Sequence, residues 1–83
     1  MSTITQEPDP AAAGSKVKFC ISLDGVSLPV TLNGSWDPGG QTFSHTVTSD
    51  SDRCFTVEAP SDAEGGIITD DSGQVEDFAI FVS

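Results

Sequence analysis

From Lys16 to the C-terminus apolar residues recur at every second position, and a period of two is the signature of strands that bury one face. In VKFCISL (17–23), Val17, Phe19, Ile21 and Leu23 share a face; in VSLPVTL (26–32), Val26, Leu28, Val30 and Leu32 do. Asp24-Gly25 lies between them, a strong two-residue hairpin signal. Pairing about that turn sets Leu23 against Val26, Ile21 against Leu28, Phe19 against Val30 and Val17 against Leu32, so the spacing predicts a hairpin. Pro29, which cannot donate to a ladder, predicts that the second strand is an edge or carries a bulge.

The alternation resumes after a turn-rich loop, NGSWDPGG (33–40). QTFSHTVTS (41–49) sets Phe43, His45 and Val47 on one face, and RCFTVEA (53–59) directs Phe55, Val57 and Ala59 inward. A short strand follows at IIT (67–69). The last, VEDFAIFV (75–82), is apolar on both faces near its end, which predicts a strand covered on both sides. About six short strands, with turns every eight to twelve residues and no helical period, predict an all-β fold. The expected form is a small antiparallel β-sandwich or partly open barrel, immunoglobulin-like or jelly-roll-like. Residues 16–83 form the single domain of this reading. Residues 1–15 (MSTITQEPDPAAAGS) read as a polar extended arm, stiffened by Pro8 and Pro10, flexible or held by a partner.

Charge narrows the function classes. Thirteen acids against three basic residues, Lys16, Lys18 and Arg53, give a net charge of −10 in 83 residues. Such a surface is unsuited to phosphate backbones and to anionic lipid, so neither nucleic acid nor membrane is an expected partner. The first fourteen residues lack the basic start and apolar core of a secretory signal. The expected outcomes are a protein that stays inside, leaves by another route, or is released with a particle after lysis; the foremost expectation is a virion or other extracellular particle assembled in the cytoplasm.

Catalytic chemistry is hard to assemble. His45 is the only histidine and shares a face with Phe43 and Val47, a setting that suits a core or rim residue better than a base. The chain has no nucleophile elbow, phosphate loop or dinucleotide fingerprint. No enzyme activity and no cofactor are expected. Cys20 and Cys54 form no zinc pattern. Both point opposite the apolar faces of their strands, so they bridge across an outer face if those strands are neighbours, and otherwise remain two thiols. Asp50, Asp52, Asp70 and Asp71 make oxygen-rich turns that are weak calcium candidates or simply solvated turns.

Trp36 is the lone tryptophan, set among glycines in Asn33-Gly34-Ser35-Trp36-Asp37-Pro38. It reads either as an exposed anchor or as a plug closing the end of the sandwich. Over this stretch alone the chain resembles starch- and glycogen-binding modules, which carry a G-S-W-like segment after a strand. The resemblance implies sugar stacking on Trp36, although the second aromatic platform of those modules is not identifiable here. Three functions follow. The first is a non-catalytic structural subunit that packs on a larger protein assembly, as capsid decoration or cement proteins do, in a homo- or hetero-oligomer. Its expected contacts are Ile4, Pro8 and Pro10 of the arm with Trp36 and Asp37 of the loop. The second is a small carbohydrate-binding module using Trp36, and the third an acidic inhibitor of a basic protein.

Overall fold

The computed structural model describes residues 2–83. Seven strands follow in chain order: β1 (Ile4–Glu7), β2 (Lys16–Ile21), β3 (Val30–Asp37), β4 (Thr42–Val47), β5 (Cys54–Glu58), β6 (Gly65–Thr69) and β7 (Phe78–Phe81). Among the described residues a single 3₁₀ turn, Asp50–Asp52, precedes β5. The strands make two antiparallel sheets, one ordered β1-β2-β5 and the other β4-β3-β6-β7. Their apolar faces pack on each other as a β-sandwich of immunoglobulin-like connectivity.

The interior is built by the alternation. Val17, Phe19 and Ile21 descend from β2; Val30, Leu32 and Trp36 rise from β3, joined by Val47, Ile68 and Ile80. Phe19 is fully buried at the centre. Its ring lies parallel to Phe43 at a centroid distance of 6.1 Å, tilted to Phe55 at 5.7 Å and edge-on to Phe78 at 6.1 Å. These geometries add to the area the ring removes from water.

The expected hairpin of residues 17–23 with 26–32 does not form. Strand β2 pairs with β1 and β5, and β3 pairs with β4 and β6, so residues 22–29 cross from one sheet to the other. The turn itself is real, since the Val26 N–H donates to the Leu23 carbonyl at 3.1 Å and Gly25 takes a positive φ of 74°. Alternation identifies the buried face of a strand but not its neighbour. Here the two apolar sets meet face to face across the sandwich instead of side by side. Pro29 falls just before β3, outside any ladder, and Leu28 is partly exposed.

Three further expectations change. The predicted loop 33–40 is strand as far as Asp37, because Gly34 and Trp36 continue the inward positions of Val30 and Leu32. The last strand is an edge rather than a covered one, and Phe81 is 58% exposed. Residues 2–11 are docked rather than free. Strand β1 pairs with β2, Ile4 is buried, and Ala11 is fully buried beside Val82 in a parallel bridge to the other sheet. The composition of this segment hid that outcome, because backbone pairing and two small apolar anchors hold it.

Cys20 and Cys54 are direct partners on β2 and β5 and are joined in a disulfide across the outer face of their sheet. The bridge spans 34 positions, so reducing it should cost about 2–4 kcal/mol by releasing the unfolded chain. Urea denaturation with and without reductant measures this. A midpoint unchanged by reduction, with free thiols verified, would contradict it. Gly34 provides a second check. A Cβ placed there comes 2.0 Å from the Phe43 ring, which crosses over it. Gly34→Ala should therefore destabilise the fold by about 1–3 kcal/mol. With Phe43→Ala already present, the added cost of Gly34→Ala should largely vanish.

Candidate interaction surface

All strands run between two loop-bearing ends, and most of the acids collect there. One end carries Asp24, Asp50, Asp52, Asp70, Asp71, Glu76 and Asp77 in the connections 22–29, 48–53 and 70–77. The other carries Asp9, Asp37, Asp62 and Glu64. The outer face of β1-β2-β5 holds Glu7, Lys16, Lys18 and Glu58, with Lys18 beside Glu7 and Lys16 beside Glu58 in register. Opposite charges thus alternate on that face.

The outer face of β4-β3-β6-β7 differs. Register brings Thr31, Asn33 and Ser35 of β3 beside Thr46, Ser44 and Thr42 of β4. On the other flank stand Thr69 and Ile67, followed by Ala79 and Phe81. Among the described residues none of these side chains ionises, and Asp37 marks the corner. Thr31 and Thr46 bond to each other through their hydroxyls at 3.0 Å. Ile67 is 41% exposed, near the more exposed Phe81. A shallow depression runs between Asn33, Ser35, Thr42, Ser44, Ile67 and Thr69. In a chain of net charge −10, an uncharged sheet face with exposed apolar groups is the surface least opposed by electrostatics to contact with another protein.

The residues singled out from sequence scatter. Trp36 is 3% exposed and lies against Phe43, with Gly66 backbone packed on the indole. It is the plug, and a buried indole offers no face to a sugar or partner. Ile4 is likewise buried and is corrected from a contact residue to a core anchor. Pro8, Pro10 and Asp37 are exposed. Pro8 and Pro10 lie where the N-terminal segment passes between sheets, and Asp37 ends β3. His45 stacks on Phe55 at 4.3 Å, and its Nε2 lies 2.8 Å from the Asp52 carbonyl oxygen. A carbonyl only accepts, so Nε2 carries the proton and the ring ties β4 to the 3₁₀ turn. Sequence alone does not mark the face just described, because an outward serine or threonine in an alternating strand carries no signal of its neighbours on other strands.

The aspartates have local partners. Asp52 accepts from the N–H groups of Thr48 and Ser49 and from the Thr48 hydroxyl. Those bonds hold its carboxyl below the usual aspartate range. Asp50 lies 3.6 Å from the Arg53 guanidinium, and Asp71 is exposed. Among the described residues no cluster of acidic, histidine or cysteine groups has the geometry of a metal site. Asp70 is buried and accepts from the Ser72 hydroxyl and from the N–H groups of Ser72, Gln74 and Val75. Burial alone would raise its carboxyl; the donors outweigh it and hold it low. The Gln74 side chain in turn donates to the Ser27 carbonyl at 3.2 Å, which links the Asp70 turn to the crossing loop.

No family model, curated protein or solved structure matches this chain.

The Asp70 carboxyl binds its proton less tightly in the fold than in the unfolded chain. Its stabilisation is complete above the ordinary value of 3.8 and disappears as pH falls through the lower folded value. Urea midpoints taken from about pH 6 to pH 2.5 should fall steeply in acid for the parent chain. Asp70→Asn should be less stable near neutrality and have a shallower acid slope. Equal slopes would refute this role.

Proposed function

We propose that this protein is a non-catalytic interaction subunit that packs on a larger protein assembly through the outer face of β4-β3-β6-β7. The observation that carries the reading is the segregation of charge: the acids crowd the two ends while this face, with Ile67 and Phe81 exposed, bears only Asp37 at its corner. The acidic ends repel one another and favour solubility, and the neutral field of the face can approach a partner without desolvating a charge. A capsid-decoration or cement role is the specific form of this reading. It suits a small sandwich with a disulfide on its outer surface and its N-terminal segment folded back onto both sheets.

The reading is tested in cells that make the protein, by sedimenting their particles through a density gradient. The parent chain should travel with a large particle. Ile67→Arg should move it to the light fractions, whereas Thr56→Lys on the opposite outer face should leave it bound. A parent chain confined to the light fractions, or an Ile67→Arg chain still on the particle, would overturn the proposal.

A further inference from the structure

The two sheets have four edge strands, and three are guarded. Gln6 on β1 clips the neighbouring edge, its Nε2 donating to the Phe81 carbonyl at 2.7 Å and its Oε1 accepting from the Phe81 N–H at 3.1 Å. Pro8 follows β1 directly. Strand β7 is further covered by Ala11, whose N–H donates to the Phe81 carbonyl at 2.9 Å. Strand β5 contains Glu58, follows Arg53, and has Cys54 tied in the disulfide. These are the usual devices against unwanted strand addition.

Strand β4 has none of them. Thr42-Phe43-Ser44-His45-Thr46-Val47 contains no proline and no carboxylate, lysine or arginine. The Trp36 N–H donates to the Gln41 carbonyl at 2.8 Å. Together with the register, this bond assigns the backbone groups of Phe43, His45 and Val47 to β3. Those of Thr42, Ser44 and Thr46 point away from the sheet. Just beyond, the Thr48 N–H is taken by the Asp52 carboxylate at 3.0 and 3.1 Å, which closes that end of the edge. The open window is therefore Thr42 to Thr46.

We infer that this window pairs antiparallel with the same window of a second copy, about a twofold axis at Ser44. The sequence is self-complementary in that register: Ser44 meets Ser44, Thr42 meets Thr46, and Phe43 meets His45. Every outward N–H and C=O of Thr42, Ser44 and Thr46 then finds a partner, and the two four-stranded sheets become one continuous sheet. The side chains that meet are hydroxyl with hydroxyl on the outer face and aromatic with imidazole on the core side, both favourable cross-strand pairs. No charge stands within the window, while the acids at the ends repel between copies, so the pairing strengthens with salt. One strand pair buries too little for a permanent dimer, and a dissociation constant on the order of 100 µM is expected. The inference does not depend on the particle reading, since it concerns the isolated chain.

Sedimentation equilibrium of the purified protein at increasing concentration in about 0.5 M salt tests it. The 8.6 kDa mass should double, and the dissociation constant should rise on lowering the salt. Hydrogen exchange should slow with concentration at the amides of Thr42, Ser44 and Thr46 and stay unchanged at Thr56. Ser44→Pro removes an outward donor without touching the β3–β4 ladder, and Ser44→Lys sets two ammonium groups on the axis. Each should weaken the dimer at least tenfold, while Thr56→Lys should not. Ser44→Lys keeps the test intact if the proline variant misfolds. A chain monomeric up to millimolar concentration, or a dimer unaffected by Ser44→Lys, overturns the inference.

Discussion

The contact on which the rest depends is the one Phe19 makes across the gap between sheets. Strand β2 supplies it from the middle of the sheet β1-β2-β5, and it touches Phe43, Phe55 and Phe78 on three other strands. A small chain has few side chains to spend on a core, and much of the cohesion in this one passes through those rings. The hollow above Gly34 exists because Phe43 must lie over β3 to reach Phe19. Trp36 and His45 complete the same layer toward its margins.

That layer explains what the sequence made legible and what it hid. Period two identified the inward residues of β2, β4 and β5 correctly, because a half-buried strand must alternate. It could not identify neighbours. Val30 and Leu32 satisfy the same pattern whether they pair beside β2 or face it, and the Asp24-Gly25 turn forms in either case. Glycine misled in the other direction. Gly34 looked like loop, yet it is a strand residue whose missing side chain makes room for an aromatic ring. The docked N-terminal segment was invisible because its hold is mainly backbone, with Ile4 and Ala11 as its apolar anchors.

The surface was less legible than the core. An outward threonine or serine carries no period of its own, and only the register of four strands shows that Thr31, Asn33, Ser35, Thr42, Ser44 and Thr46 form one neutral field. The conspicuous residue, Trp36, proved internal. The aspartates that suggested a cation instead accept backbone donors and fix loops, which is how a turn carboxylate commonly earns its position.

The route of the N-terminal segment makes the two margins of the molecule unequal. On the β1–β7 side a continuous run of chain is hydrogen-bonded first to one sheet and then to the other, with the Gln6 amide spanning the seam. On the β4–β5 side the sheets meet through side chains, His45 on Phe55 foremost. The molecule is thus bound like a book, with a stitched spine and a fore-edge closed by side chains, and local opening of the leaves is expected at the fore-edge before the spine.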